Sequence, residues 1–159
     1  MFTLNRNEAG GRKMKFSTSS KMALLVICMA FTAGAWAADE AFRSAAGGLM
    51  IKDLQVGQGE GAARGQVATI HFVGWIDELG VRGREIYNSR AQGHPVSFVI
   101  GTDGVMKGWN EGVLGMKPGG KRMLLVPPGM AYGARKVEDV VPENATLMFR
   151  IELVKIEKL

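Results

Sequence analysis

Beyond residue 37 this chain leaves almost no room for a long helix. Gly10, Gly11 and Gly34 are its only earlier glycines, so 19 of the 22 lie after that point, together with all five prolines. Relative to alanine, glycine costs a helix interior about 1 kcal/mol and proline about 3 kcal/mol. Both residues also cut a chain into turns. The apolar runs between them are short, and four read as strands. Residues 66–76 (QVATIHFVGWI) alternate: Val67, Thr69, His71, Val73 and Trp75 fall on one side, Ala68, Ile70, Phe72 and Ile76 largely on the other. Residues 96–100 (VSFVI) follow Pro95, and residues 121–126 (KRMLLV) stop at Pro127 and Pro128. Residues 146–157 (TLMFRIELVKIE) put Leu147, Phe149, Ile151 and Leu153 on one face, and Met148, Arg150, Glu152 and Val154 on the other. That second, part-polar face predicts a sheet covered on one side and wetted on the other, which is antiparallel behaviour.

One stretch has helical spacing. In residues 108–116 (GWNEGVLGM), Trp109, Val113 and Met116 stand at i, i+4 and i+7. Three glycines weaken it, so packing must hold it. The expected fold is α+β: a twisted antiparallel sheet of about five strands wrapped over one short helix.

Charge separates the chain into unequal parts. The first 37 residues hold five basic residues (Arg6, Arg12, Lys13, Lys15, Lys21), one acid (Glu8) and the only cysteine, Cys28. Of the 20 basic and 15 acidic residues, 15 and 14 remain beyond them, about +1. A nucleic-acid footprint needs a basic excess, so no nucleic-acid partner is expected. With no cysteine there, a thiol nucleophile, a disulfide framework and a cysteine metal site are excluded. Only His71 and His94 remain as imidazoles, so no metal site or cofactor is expected.

The early segment reads as an export signal. Lys15 and Lys21 flank a positive start, residues 22–31 (MALLVICMAF) are apolar, and Ala35-Trp36-Ala37 has the A-x-A form of a cleavage site. Met14 is an alternative start. The other readings are an uncleaved anchor, since residues 22–38 carry no charge at the lower limit of a spanning length, and lipid attachment at Cys28. The expected division is residues 1–37 as leader with export signal, 38–48 as a flexible entry segment, and 49–159 as the folded domain. The expected location is periplasmic or secreted, with the membrane touched only through an uncleaved signal. A monomer is the default.

Catalytic constellations are absent. Ser44, Ser89 and Ser97 are the only serines beyond residue 37, none in a G-x-S-x-G turn. The glycines of residues 101–104 lack the Lys-Ser/Thr of a phosphate loop. What remains is an apolar and aromatic inventory: Phe72, Trp75, Tyr87, Phe98, Trp109, Tyr132 and Phe149. Each is an ordinary core residue unless several converge on a concave surface.

An ordered set of motifs supplies that convergence. His71-Phe72-Val73-Gly74, Asn88-Ser89-Arg90, Val105-Met106-Lys107-Gly108-Trp109-Asn110-Glu111-Gly112, Ala131-Tyr132-Gly133 and Asn144-Ala145-Thr146-Leu147-Met148-Phe149 occur in sequence. Together they resemble the FKBP-type peptidyl-prolyl cis-trans isomerases, over about residues 47–159, in the style of exported bacterial members. The resemblance implies proline-containing polypeptides as partners, with macrolides as candidate inhibitors. It implies that Trp109 floors a proline pocket walled by Phe72, Ile86, Val96 and Phe149. Val105 and Met106 would form its helix-side rim, with the Met106 N–H as a donor. Tyr132 would meet a substrate carbonyl, and Val137, Val140 and Val141 would overhang. Tyr87 joins the catalytic set as the residue replacing a family carboxylate.

The chain departs from the family pattern at several positions. Without gaps, Ile86-Tyr87 stands where Phe-Asp is common; a one-residue shift aligns Tyr87-Asn88 instead. Phe72 replaces a tyrosine, Met130 replaces the first tyrosine of the Tyr-Ala-Tyr-Gly motif, and Lys136-Val137-Glu138-Asp139 replaces a Gly/Pro-bearing loop tip. The expected function is isomerisation of X-Pro bonds in exported proteins. The alternative is a proline-binding or chaperone module with weak or no turnover.

Overall fold

The computed structural model describes residues 41–159, which belong to one folded unit. The leader and Cys28 lie outside the described residues. Seven strands form one antiparallel sheet: β1 (Arg43–Ser44), β2 (Met50–Gln55), β3 (Gln66–Glu78), β4 (Val81–Asn88), β5 (Val96–Val99), β6 (Lys121–Val126) and β7 (Leu147–Lys158). Their order is β1-β2-β6-β7-β3-β4, and β5 also pairs with β3. The single α-helix among the described residues, α1, spans Lys107–Gly112.

Among the described residues there are seven strands, slightly more than the about five expected, in the expected antiparallel sheet with one short helix. β1, β2 and β4 were not legible because they are polar (RS, MIKDLQ, VRGREIYN) and lie towards the sheet edges, where burial imposes no clean alternation. β1 and the 3-10 turn Ala46–Gly48 both fall in the expected entry segment, with Arg43 opposite Ile51 and Ser44 opposite Met50.

The alternation expected for the long strands sets the core. β3 and β7 pair from Gln66↔Lys158 to Ile76↔Leu147. Their inward sets, Ala68, Ile70 and Phe72 against Leu147, Phe149, Ile151 and Leu153, are buried and share one cluster with Leu124 and Val126 of β6. A bulge in β7 shifts the register between Thr69↔Lys155 and Ile70↔Leu153, and leaves Val154 exposed. On the outer face, Arg150 is exposed, while Val73, Met123 and Met148 are buried.

The glycines that weaken α1 are the ones that seat it. A Cβ at Gly108 would strike Val126, and one at Gly112 would strike Leu124. At i and i+4 they form the flat side of the helix facing β6. Trp109, Val113 and Met116 are buried, as their spacing requires, although the helix ends earlier than residue 116. Arg122 secures that end. Its Nη1 donates to the carbonyls of Gly112 (2.8 Å) and Leu114 (3.0 Å), and its Nε donates to Asp53 Oδ1 at 2.5 Å. A buried cation beneath a helix C-terminus satisfies its orphan carbonyls and complements its dipole.

Candidate functional site

Three of the site residues expected from the resemblance meet in the sheet–helix core. Phe72 of β3, Trp109 of α1 and Phe149 of β7 meet edge to face. Ring centroids are 4.4 Å apart for Phe72–Trp109, 5.4 Å for Trp109–Phe149 and 6.1 Å for Phe72–Phe149. Such pairs contribute about 0.5–1.5 kcal/mol each beyond the area they bury. Phe98 of β5, outside the expected set, adds a fourth ring 5.9 Å from Trp109.

Gly74 admits this cluster. A Cβ there would lie 2.7 Å from the Phe149 ring and 3.3 Å from Ile86. Opposite Gly74, β4 is irregular: Gly74 pairs with Tyr87 and Trp75 with Glu85, so Ile86 is the extra residue. A bulge re-aims side chains, and here both residues serve the same side. Ile86 packs on the core, and Tyr87 stacks on Phe72 with centroids 4.9 Å apart and planes 8° from parallel. Tyr87 is thus part of the aromatic group.

The remaining candidates are less uniform. Val96, Val105, Met106, Val137 and Val140 are half-buried against the core, and Val141 is buried within it. The Met106 carbonyl accepts from the N–H groups of Trp109 (3.0 Å) and Asn110 (3.3 Å), while among the described residues no backbone acceptor faces the Met106 N–H. Tyr132 is 38% exposed and stands outside the hydrophobic cluster. Trp109 is only 6% exposed and Phe149 is 2%, so the indole is closed over by its neighbours. Its Nε1–H is buried without a hydrogen-bond partner among the described residues.

Supporting residues with no expected site role hold this group in place. Buried Ser89 Oγ accepts from the Phe72 N–H at 2.9 Å and lies 3.0 Å from His71 Nδ1, fixing β3 beside the turn after β4. Asn110 ties α1 to the chain leaving β5: Oδ1 accepts from the Gly101 N–H at 2.8 Å, and Nδ2 donates to the Thr102 carbonyl at 2.6 Å. Arg84 Nη2 donates to the Val140 carbonyl at 2.6 Å. Inward alternation in β6 marks Arg122 among Leu124 and Val126, a signal available in the sequence. Ser89 and Asn110 lie within the ordered motifs, which mark their positions but not their partners, and Arg84 has no such signal.

A cavity of about 330 Å³ lies elsewhere, lined by His71, Val73, Arg90, Lys121, Arg150 and Glu152. Most of its lining residues are charged, and Phe72 is the one member of the aromatic cluster among them. Glu152 accepts from Arg90 Nη2 at 2.8 Å. That bond, and secondarily the positive charge of Arg90, Lys121 and His71, holds its carboxyl below the usual range against the opposing effect of burial.

Comparison with known proteins agrees with this geometry. Residues 58–154 match the model of the FKBP-type peptidyl-prolyl cis-trans isomerase family. An FK506-binding protein of Neisseria meningitidis serogroup B is 43% identical over 110 residues, covering 69% of this chain and 97% of the relative. Among solved structures, FkpA from Escherichia coli superposes with a TM-score of 0.65 at 33% identity, covering 74% of this chain and 52% of that one. AtFKBP13 superposes with the same score and identity, covering 72% and 98%. The chain is an FKBP-type peptidyl-prolyl cis-trans isomerase and belongs to that family.

Proposed function

We propose that the aromatic end of the core, at Phe72, Tyr87, Trp109 and Phe149, is where a proline ring binds and an X-Pro bond is isomerised. The convergence of Phe72, Trp109 and Phe149 from three elements, with Tyr87 stacked on Phe72, is the observation that carries this reading. The half-buried rim of Ile86, Val96, Val105, Met106, Val137 and Val140, and buried Val141, supports it. Trp109 is closed over by Phe72, Phe98 and Phe149, so binding requires side chains of this cluster to move apart. The buried Nε1–H, unpartnered among the described residues, is then a donor for an amide that enters.

The chemistry needs no nucleophile. X-Pro bonds exchange in tens to hundreds of seconds because rotation breaks amide resonance, a barrier of about 18–20 kcal/mol. The planar amide is more polar than the twisted one. A dry, apolar surface therefore favours the twisted form relative to the ground state, and shape complementarity to that form is differential binding. The Met106 N–H and the Tyr132 hydroxyl are the donors assigned to substrate carbonyls.

The substrates are proline-containing polypeptides, and FK506-type macrolides are candidate ligands of the same surface. The positive–apolar–small pattern of residues 14–37 supports export, with cleavage after Ala37 and a role in folding exported chains. On this reading residues 1–37 are the leader and 49–159 the isomerase domain.

A proline-limited refolding assay tests the activity. Wild type is expected to accelerate the slow phase, Tyr132→Phe to reduce that acceleration, and Tyr87→Phe to retain it. No acceleration by wild type defeats the reading. A second reading, a proline-binding module with weak turnover, is favoured by the near-complete burial of Trp109. It predicts suppression of aggregation with no faster refolding.

A further inference from the structure

We propose that Arg84 is a positioning residue that latches the loop of residues 136–141 across the proline site, an inference that rests on the function proposed above. Arg84 stands on β4, two residues before Ile86 and three before Tyr87, so the strand that supplies one wall also supplies the latch. Its Nη2 donates to the Val140 carbonyl at 2.6 Å and lies 3.4 Å from the Asp139 carbonyl. One guanidinium therefore spans two consecutive carbonyls of a segment 55 and 56 residues away.

The loop it holds is braced within itself. Val137 and Val141 bridge each other, their N–H groups donating to each other's carbonyls at 3.0 and 3.1 Å, and Val140 N–H returns to the Val137 carbonyl at 3.0 Å. Lys136 Nζ and Asp139 Oδ1 pair at 2.8 Å across the tip. Glu138 takes a left-handed φ of 46°, which completes the tight reversal. Such a unit moves as one piece. At its base it is held by the buried Val141 side chain and by the Asn144 N–H to the Gly133 carbonyl, 2.8 Å. At its outer end, among the described residues, Arg84 supplies its side-chain tie.

The consequence is mechanical. Val137 and Val140 are half-buried against the core cluster that contains the aromatic group, and on the proposed function the position of this loop sets how much apolar surface meets a bound chain. The Arg84 bonds are solvent-exposed and each competes with water. They bias the loop inward without locking it, which leaves the site able to open. Losing the bias raises the fraction of molecules in an open arrangement and weakens apparent binding by that fraction.

The test is Arg84→Ala, Arg84→Lys and wild type, all as the full chain. Steady-state isomerisation of an Ala-Leu-Pro-Phe peptide and amide hydrogen exchange are both measured. For Arg84→Ala the expected result is a rise in KM of about fivefold, the equivalent of one net hydrogen bond, with kcat within twofold of wild type. Exchange at Val137, Val140 and Val141 quickens, while amides of β3 and β7 stay as slow as in wild type. Arg84→Lys, which keeps one charged donor, recovers part of the KM. Unchanged loop exchange in Arg84→Ala overturns the latch whatever the kinetics show. An equal fall in kcat and in β3 protection also overturns it, because that is general destabilisation. If wild type itself shows no turnover, the proposed function fails while the exchange measurement still decides the latch.

Discussion

Tyr87 lies flat on Phe72, 8° from parallel with 4.9 Å between ring centres, and remains 36% exposed. One face of the phenol is thereby covered by Phe72, while the residue keeps contact with solvent. Tyr87 therefore adds apolar area to the aromatic group. Truncating it exposes Phe72 and removes a stack worth about 0.5–1.5 kcal/mol. Tyr87→Ala is expected to raise KM for proline peptides and to lower stability by about 1 kcal/mol. Tyr87→Phe, which keeps the stack, is expected to match wild type in both. Urea unfolding and peptide kinetics on the three proteins check this; a Phe variant as impaired as Ala would place the effect in the hydroxyl.

Glycine at the helix–sheet seam is expected to be irreplaceable. At Gly112 a methyl group meets Leu124, and at Gly108 it meets Val126. Elsewhere Gly→Ala in a helix gains about 1 kcal/mol. Here overpacking costs about 1–3 kcal/mol and reverses the sign. Thermal unfolding of Gly112→Ala is expected at a lower midpoint than wild type, and Gly112→Ala/Leu124→Ala is expected to be less impaired than the two single effects summed.

Removing Arg122 is expected to cost far more than removing a surface cation. Its loss leaves the Gly112 and Leu114 carbonyls without their donor and Asp53 without its buried partner. Breaking a buried pair costs about 3–5 kcal/mol. Because Asp53 is partly exposed and water can reach it, about 2–4 kcal/mol is the expected loss for Arg122→Met. Lys155→Met, at an exposed ion pair with Glu157, is expected to change stability by less than about 1 kcal/mol. Denaturant midpoints of the two variants compare the effects directly.

Glu152 is expected to contribute a small acid-side slope to stability. Its folded-state carboxyl titrates below its ordinary 4.5 because Arg90 donates to it. A group depressed in the folded state stabilises above its unfolded value, and that contribution is lost as pH falls through the folded value. Unfolding free energy is therefore expected to decline below about pH 4.5 more steeply in wild type than in Glu152→Gln. The pair is part-exposed, so the difference is a fraction of a kcal/mol and shrinks with salt.

Local pattern carried the fold's centre. Alternation along β3 and β7 assigned their inward faces, and the spacing of Trp109, Val113 and Met116 assigned the buried side of α1, because burial on one face imposes a period of 2 or 3.6 on the residues themselves. The family resemblance carried by the motifs implied that Phe72, Trp109 and Phe149 share one site, and their rings do meet. The edge strands β1 and β4, and β2 beside β1, escaped, since nothing buries a full face of them. Whether Tyr87 faces the core or the solvent was likewise undetermined, because a bulge at Ile86 resets the alternation of β4 and leaves no trace in its composition.

What tertiary structure alone decided are the ties between distant residues. Arg84 reaches Val140 across 56 residues, and Arg122 reaches Asp53 across 69. Polar side chains of this kind look in sequence like solvated surface, and only the arrival of a remote carbonyl or carboxylate turns them into structure. The closure of the rings over Trp109 has the same origin. Hydrophobicity dictates that these side chains leave water, while their mutual angles follow from how three separate elements pack.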